Sequence, residues 1–341
     1  MITSFIPKNV CIFSTILFSI FFSSLSSQQA MAAEDPETPV TIMNPDEPSK
    51  PENYIQSKDS LYEESGGLYT EEDLKNAIPK DKTKTPDNSI KLNPSFEKPP
   101  MKEKDKKQQF APPTYPSNDP VPTKSIVPKT TGKLYFRETP NSKTSVCSAS
   151  VVTSNEDNAI LTAGHCVHDG AKGSWYTDFL FVPAYFNGER PYGSWIWEKV
   201  HAPYGWTNSG KYDYDKAIIR MRPNNSGTKI ANYLGSNGWM TNASQYQTDV
   251  RITGYPSDAP YDGQLPYSCY GDTFKDGLFS NDAYMNCGMT KGSSGGAWFD
   301  RMSSESLGYI FAATSRSSAS GTKRLYAVPL GDEFTNMLNA D

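Results

Sequence analysis

The sequence predicts an all-β domain at residues 125–341, built as a barrel or a sandwich and ending in one C-terminal helix. All six tryptophans and four of the five cysteines lie in this region. Its short apolar runs are separated by Gly, Asn and Pro clusters, and no long stretch has the period of an amphipathic helix. The region is long enough for two packed six-stranded barrels.

Residues 1–33 are expected to be a cleaved signal peptide. A single charge, Lys8, precedes the apolar run Val10–Leu25, and the mainly small residues 30–33 follow it. The apolar run is shorter than the roughly 20 residues that a spanning helix needs, which makes a membrane anchor the weaker interpretation. We therefore expect a secreted, extracellular protein without a stable membrane anchor.

Residues 34–124 have a different composition from the domain that follows. They hold 15 of the 26 prolines, with 13 Lys, 18 Asp+Glu, no Trp and no Cys. Such a segment buries too little apolar surface to offset its ordering entropy, so we expect it to be largely disordered. The exception is a short helix predicted within Leu68–Ile78, with Thr70 as N-cap and Pro79 as its stop. We interpret the segment as a removable pro-segment; a solvated linker is the alternative.

Eight strands and one helix are predicted within residues 125–341. The strands follow the apolar runs, and they are Val146–Thr153, Ala159–Leu161, Leu180–Pro183, Ala217–Met221, Val250–Ile252, Ala297–Phe299, Tyr309–Ala313 and Leu325–Val328. The helix is predicted over Leu330–Leu338.

The charge balance argues against one class of function. The chain has 33 Lys+Arg against 38 Asp+Glu, a formal charge of −5, whereas a nucleic-acid binder usually carries a basic face. We also find no metal-ligand cluster, phosphate loop or internal repeat. We therefore expect no nucleic-acid partner, no metal and no cofactor.

Three short motifs carry chemistry. In the first, Leu161–Cys166, the small residues Ala163 and Gly164 bring the backbone close to the imidazole of His165. A base in hydrolysis needs such a fixed ring, within hydrogen-bond reach of a nucleophile.

The second motif supplies an acid at the start of a buried strand. Asp213 and Asp215 both precede the run Ala217-Ile218-Ile219. Either carboxylate could accept a hydrogen bond from an imidazole and hold its tautomer. We favour Asp215 because it is closer to the buried strand.

The third motif, Cys287–Trp298, contains the string Gly292-Ser293-Ser294-Gly295-Gly296. Glycines on both sides of a serine allow a tight turn that aims backbone N–H groups inward. The amides of Gly292 and Ser294 are therefore expected to form an oxyanion hole beside the Ser294 hydroxyl. The order His, Asp, Ser is one of the known orders of a catalytic triad.

These motifs together resemble the chymotrypsin-fold (trypsin-like) serine peptidases. Ile252–Pro256 and Thr290–Gly296 are similar to segments of the secreted bacterial branch, which includes the glutamyl endopeptidases. The resemblance covers most of 125–341. It implies two six-stranded antiparallel β-barrels, and a monomeric endopeptidase that acts on protein or peptide substrates.

The resemblance also implies roles for individual residues. Ser294 would be the nucleophile, His165 the general base and acid, and Asp215 the orienting carboxylate, with an acyl-enzyme intermediate. It further implies two disulfides, Cys147–Cys166 and Cys269–Cys287. An even number of cysteines in the region fits an oxidising compartment.

The resemblance leaves the specificity of the substrate pocket open. Gly288 stands where enzymes that cut after Lys or Arg carry an Asp, and Thr314 and Ser315 lie on the pocket strand, which lacks the His of glutamyl endopeptidases. Lys291 and Arg316 either attract an acidic side chain or are exposed, inert charges.

The end of the proline-rich tract is the expected site of activation. We expect cleavage after Lys124, where the proline-rich tract ends, by another protease.

One alternative function is a catalytically silent module of the same fold, acting in binding or adhesion. The other is an esterase or lipase, although those enzymes order their residues Ser, Asp, His on a fold with alternating helices.

Overall fold

The computed structural model describes residues 34–44, 65–84, 107–114, 128–304, 306–318 and 323–340. The predicted signal peptide at 1–33 and the predicted cleavage after Lys124 lie outside these residues. Within them, no helix is both long and apolar enough to cross a membrane.

The described parts of 34–124 contribute four short strands and one helix. They are β1 (Pro39–Met43), α1 (Glu71–Lys75), β2 (Ile78–Pro79), β3 (Thr83–Lys84) and β4 (Phe110–Ala111). The N-cap of α1 is Thr70, as predicted, and Asp73 completes a capping box. Each strand pairs with a strand of the following domain. These pieces are ordered because the domain supplies hydrogen-bond partners and apolar surface that their own composition lacks.

Six strands close into an antiparallel barrel in the first half of the domain. They are β5 (Thr131–Arg137), β6 (Thr144–Val151), β7 (Ala159–Thr162), β8 (Thr177–Pro183), β9 (Trp195–Pro203) and β10 (Ala217–Met221). The order β5-β6-β7-β10-β9-β8 returns to its start because β8 pairs with both β9 and β5. A short helix, α2 (Tyr204–Thr207), follows β9.

Within its described residues, the second half of the domain contains nine strands and two helices. They are α3 (Ile230–Leu234), β11 (Gly238–Met240), β12 (Val250–Gly254), β13 (Tyr267–Gly271), β14 (Phe274–Lys275), β15 (Ala283–Asn286), β16 (Ala297–Met302), β17 (Gly308–Ala313), β18 (Arg316–Ser318), β19 (Arg324–Ala327) and α4 (Asp332–Leu338). The strands form two sheets, each with one strand of the N-terminal segment at its edge. Their orders are β13-β12-β16-β17-β11-β4 and β14-β15-β19-β18-β3. Side chains of both sheets, among them Met285, Trp298, Phe311 and Leu325, share one buried core.

The all-β prediction with a C-terminal helix is confirmed. Each of the eight predicted strands is present, and α4 begins two residues later than predicted, after Gly331. Seven strands that the structure describes in this domain were missed, and they are β5, β9, β11, β13, β14, β15 and β18. In β9 the polar Glu198 and Lys199 interrupt the apolar run, but they are only partly buried while their neighbours fill the barrel core.

Strand β10 holds the two halves together. All five of its residues are buried. Ile219 belongs to the barrel core, whereas Ile218 packs into a second cluster with Phe334 and Met337 of α4. The run Ala217–Ile219 is therefore continuously apolar, because both faces of this strand are covered.

Candidate active site

The side chains of His165 and Asp215 are in contact inside the protein. His165 lies in one 3₁₀ turn, Gly164–Cys166, directly after β7, and Asp215 follows another, Tyr212–Tyr214, directly before β10. Because β7 and β10 are antiparallel neighbours, the two turns meet at one edge of the barrel. Nδ1 of His165 lies 2.9 Å from Oδ2 of Asp215, and the backbone N–H of His165 donates to Oδ1 at 2.7 Å. An ionised carboxylate only accepts, so Nδ1 carries the proton and Nε2 is left as the acceptor.

The close approach of these residues requires glycine at position 164. A Cβ there would lie 2.9 Å from the ring of Trp206 and 3.1 Å from Oδ1 of Asp215. Asp213, the alternative acid, is exposed and accepts a hydrogen bond from Asn281 at 2.9 Å. Asp215 is thus the acid that contacts the imidazole.

Both predicted disulfides are confirmed. Cys147–Cys166 links the turn of His165 to β6, with Cα atoms 6.3 Å apart. Cys269–Cys287 links β13 to the residue after β15, with Cα atoms 5.7 Å apart. The first bridge therefore fixes the backbone that carries the imidazole.

Ser294 lies in a tight turn just before β16. Gly295 has φ +79°, and a Cβ there would lie 2.2 Å from the carbonyl oxygen of Ser148 and from Oγ1 of Thr162. The N–H of Ser148 donates to the carbonyl of Ser294 at 2.7 Å. Only glycine fits at position 295, because this turn is pressed against β6 and β7.

Gly292, predicted to donate to an oxyanion, also adopts a conformation that favours glycine. Its φ is +91°, and a Cβ would lie 2.6 Å from the carbonyl oxygen of Tyr255. The N–H of Gly292 donates to the carbonyl of Lys80 at 3.4 Å. This amide thus faces a backbone oxygen of the N-terminal segment.

Asp215 is tied to the second half of the domain through Ser315. The hydroxyl of Ser315 donates to Oδ2 of Asp215 at 2.5 Å. Burial alone would raise the pKa of Asp215, but the charge of His165 and hydrogen bonds from His165 and Ser315 hold that pKa below its ordinary value. Ser315, predicted as a pocket residue, therefore contacts the acid.

Sequence reasoning missed one residue of the site, Asp81. Ser294 Oγ donates to Oδ1 of Asp81 at 3.3 Å, and Ser317 Oγ donates to Oδ2 at 2.6 Å. Within the described residues, the buried Nε2 of His165 has no hydrogen-bond partner. The sequence carries no signal for this contact. Asp81 stands between Lys80 and Lys82 in a segment that contains many charged residues, so nothing distinguishes it from its neighbours.

Arg316 contradicts one of the two interpretations drawn from sequence. It is buried, forms an ion pair with Asp282 and lies over the ring of Tyr212, 4.0 Å from its centroid. An exposed, inert charge is therefore wrong for Arg316. Its charge is balanced by Asp282 inside the protein.

The other predicted pocket residues are spread over different environments. Thr314 is buried, and its hydroxyl accepts from Trp298 Nε1 at 2.9 Å. Lys291 is half exposed, with its Nζ 3.8 Å from Asp258. Among the described residues, a Cβ at Gly288 would make ordinary van der Waals contacts with Lys323, at 3.5 Å, and Tyr261, at 3.8 Å. These three residues therefore do not share one environment.

Comparison with known proteins identifies the family. The solved structure of protease Anisep from Arthrobacter nicotinovorans is 34% identical, with a TM-score of 0.57; the similarity covers 63% of this chain and 95% of that chain. The chain belongs to the chymotrypsin-fold serine proteases. The thermostable serine protease AL20 from an extremophilic microorganism is 29% identical with the same TM-score, over 62% of this chain and 96% of that chain.

Curated relatives of this serine protease match over a shorter length. A glutamyl endopeptidase of Bacillus licheniformis is 31% identical over 149 residues, and an extracellular metalloprotease of Bacillus subtilis is 26% identical over 141 residues. The chain spans 43% and 42%, respectively, of the length of these relatives. No protein-family model matches the chain.

The name of the Bacillus subtilis relative raises the question of a metal. Among the described residues, one cluster has ligand types in suitable proximity: Cys147, His165 and Cys166. The two cysteine sulfurs are bonded to each other, so neither is the thiolate that binds a metal. Nδ1 of His165 is already hydrogen-bonded to Asp215. These residues do not fit a metal ion, and no catalytic step is derived through one.

Proposed function

We propose that this chain is the precursor of a secreted serine endopeptidase that cuts peptide bonds through Ser294, His165 and Asp215. The observation that carries the proposal is the buried contact between His165 and Asp215, with Nδ1 and Oδ2 only 2.9 Å apart. An imidazole held in this way presents Nε2 as a base. Its turn is fixed by a disulfide, which limits the reorganisation needed during the reaction.

The chemistry runs through an acyl-enzyme. Ser294 Oγ attacks the carbonyl carbon of the scissile bond while its proton passes to Nε2 of His165. Asp215 stabilises the imidazolium that forms. His165 then gives the proton to the leaving amine, and a water molecule, activated by the same nitrogen, hydrolyses the ester of Ser294.

Negative charge on the carbonyl oxygen needs donors that are already in position. We assign this role to the N–H groups of Gly292 and Ser294. The left-handed φ of Gly292 and the close packing at Gly295 support the assignment, because they leave the turn little freedom to rearrange. Removal of one such donor typically lowers turnover by about 10²–10³-fold.

Secretion and processing belong to the same proposal. The two disulfides fit an oxidising compartment, and one curated relative is named as extracellular. The composition of residues 1–33 fits a cleaved signal peptide, and we retain cleavage after Lys124 as the activating step.

The test is to express the whole chain in a secreting bacterial host and to profile cleavage of a mixed peptide library by mass spectrometry. The Ser294→Ala protein, purified in the same way, is the control. We expect cuts from the wild type alone, and the residues flanking those cuts will define the substrate preference. The N-termini of both secreted products report where the signal peptide and pro-segment are removed.

Two results would contradict the proposal. Equal cutting by wild type and Ser294→Ala would mean that another group, or a contaminant, performs the reaction. No cutting by a wild-type protein that has lost residues 34–124 would favour the silent binding module.

A further inference from the structure

Residues 78–84 cross from one half of the domain to the other at Ser294. On one side, β2 pairs with β6, and the N–H of Lys80 donates to the carbonyl of Val146 at 3.0 Å. On the other side, β3 pairs with β18, and the N–H of Ser317 donates to the carbonyl of Lys82 at 3.2 Å. β6 belongs to the closed barrel and β18 to the second half. The segment therefore lies across the cleft between them.

Asp81 occupies the middle of this crossing. Its two carboxylate oxygens accept from different hydroxyls, Oδ1 from Ser294 at 3.3 Å and Oδ2 from Ser317 at 2.6 Å. The carbonyl of Lys80 accepts from Gly292. The segment thus contacts both the proposed nucleophile and a proposed oxyanion donor, and Ser294 is only 1% exposed.

We propose that residues 78–84 are a built-in inhibitor, in which Asp81 withdraws the Ser294 hydroxyl from His165 until the segment is displaced. The inference rests on the proposed roles of Ser294 and His165. A serine hydroxyl has one proton to donate. While Oδ1 of Asp81 accepts that proton, Nε2 of His165 cannot, and within the described residues Nε2 indeed has no partner.

The inhibitor is held by an anchor that precedes it in the chain, at and before α1. Tyr69 and Leu74, on either side of the start of α1, are buried in one cluster with Tyr135, Tyr185 and Tyr255. The hydroxyl of Tyr69 donates to the carbonyl of Asp178 at 2.5 Å.

Charged groups add to this anchor. Arg137 lies over the ring of Tyr69, 4.6 Å from its centroid, and donates to the carbonyl of Leu68 at 2.9 Å. Lys80 pairs with Glu138 at 2.7 Å. A segment tethered in this way meets the cleft at high effective concentration, so weak contacts at Asp81 suffice.

The carboxylate of Asp81 makes the contact reversible. Burial raises its pKa; hydrogen bonds from Ser317 and Ser294 and the charge of His165 oppose the rise without cancelling it. Docking of the ionised group is therefore disfavoured by burial and favoured by its hydrogen bonds. An amide in its place would keep an acceptor and avoid the burial of charge.

The experiment measures how fast Ser294 reacts in the unprocessed chain. Diisopropyl fluorophosphate is the probe, because this small reagent labels activated serines. Intact mass spectrometry reports labelling and chain length together, so only full-length molecules are counted. The variants are Asp81→Ala at the cleft, Tyr69→Ala at the anchor, Asp81→Asn as the conservative change and Glu72→Ala as a matched control. Glu72 is an exposed acid on α1 that accepts hydrogen bonds from Asn76.

We expect both Asp81→Ala and Tyr69→Ala to be labelled at least about tenfold faster than wild type. The first variant loses a hydrogen bond to a charged group, and the second loses a buried aromatic side chain. Glu72→Ala and Asp81→Asn should stay within about threefold of wild type on the same scale. Near-ultraviolet circular dichroism checks that each variant is folded. Because Asp81→Ala and Tyr69→Ala change different places, the test remains valid if one of them fails to fold.

Three results would contradict the inference, and each has a different consequence. Wild-type rates in both Asp81→Ala and Tyr69→Ala, with Ser294 labelled, would overturn the inhibitor and leave the proposed function standing. Faster labelling of Tyr69→Ala alone would overturn the role of Asp81. No labelling of any variant, even after limited proteolysis of the N-terminal segment, would overturn the proposed function and this inference with it.

Discussion

The hydroxyl of Ser315 donates a 2.5 Å hydrogen bond to Oδ2 of Asp215. Asp215 precedes β10 of the closed barrel, whereas Ser315 lies between β17 and β18 of the second half. One short contact therefore joins the two halves at the carboxylate that faces His165. We therefore expect changes at this contact to affect stability, its dependence on pH, and activity.

Ser315→Ala should lower the free energy of unfolding at neutral pH but not in acid. Burial raises the pKa of Asp215, but His165 and the hydrogen bonds hold it below its usual 3.8. A group with a depressed pKa in the folded state stabilises the protein above its unfolded pKa, and that stabilisation is lost as pH falls through the folded value. We expect a loss of about 1–3 kcal/mol at neutral pH that shrinks below pH 3.8. Urea unfolding from about pH 2 to pH 7 measures this, and a pH-independent difference would contradict it.

Asp215→Asn and Asp213→Asn should differ strongly in the activity of the processed enzyme. An asparagine at 215 would favour the wrong tautomer of His165, which costs about four orders of magnitude in turnover in triad enzymes. Asp213 is exposed and contacts Asn281 instead, so its variant should be near wild type. Turnover of a peptide substrate separates the two. Reversed effects would show that the acid is wrongly assigned.

A comparison of Gly295→Ala with Gly188→Ala separates the effect of a steric clash on stability from the effect of backbone strain. Both glycines have φ near +80°, so alanine costs about 1–2 kcal/mol at either position. At Gly188 nothing lies within 4 Å of the added Cβ, whereas at Gly295 it would lie 2.2 Å from Ser148 and Thr162. We expect a further loss of about 1–3 kcal/mol, and loss of activity, only at Gly295. Thermal unfolding and turnover test this; equal effects of the two variants would exclude a clash.

The two disulfides should contribute alike to stability and differently to activity. They join cysteines 19 and 18 positions apart, so the entropy removed from the unfolded chain is nearly equal. Replacement of either pair by alanine should lower the free energy of unfolding by about 2–4 kcal/mol. The pair Cys147–Cys166 also fixes the turn of His165, so its loss should lower turnover more. If the Cys269–Cys287 variant lost more turnover, this account of the first bridge would fail.

Lys133 should make the protein more stable as the pH rises from neutral. Burial lowers the pKa of Lys133 to about 7, with Asp262 opposing the shift. The ammonium lies over the rings of Tyr135 and Tyr185. Since the unfolded chain binds more protons between the folded pKa and 10.5, stability increases across that range.

The measurement is denaturant unfolding between about pH 7 and pH 9, below the range in which tyrosines titrate. The raised pKa values of Tyr135, Tyr185 and Tyr255 act in the opposite direction only above 10.0. Lys133→Met should flatten the slope. An unchanged slope would mean that Lys133 is not its source.

Sequence reasoning succeeded where the signal is local. The turn at His165 follows its strand directly, and the N-cap of α1 was identified from Thr70. The glycines beside Ser294 were recognised as turn residues from the local string, although the contacts that require Gly295 come from β6 and β7. Strand β10 was found from the apolar run Ala217–Ile219, which is continuous because both faces of the strand are buried.

It failed where partners lie far apart along the chain. Arg316 and Asp282 neutralise each other across two strands, and nothing near Arg316 in sequence indicates this. Ser315 was taken as part of a pocket wall, whereas its hydroxyl contacts an acid 100 positions away. Asp81 reaches Ser294 across 213 positions.

The sequence by itself determined the all-β class and the residue types that meet at the site. Periodicity, turn residues and short motifs encode these features within a few residues of chain. Only the tertiary structure decided what covers the site and which charges are compensated. Hydrogen bonds and ion pairs act over about 3 Å, so their partners are chosen by the folded path of the chain and not by sequence proximity.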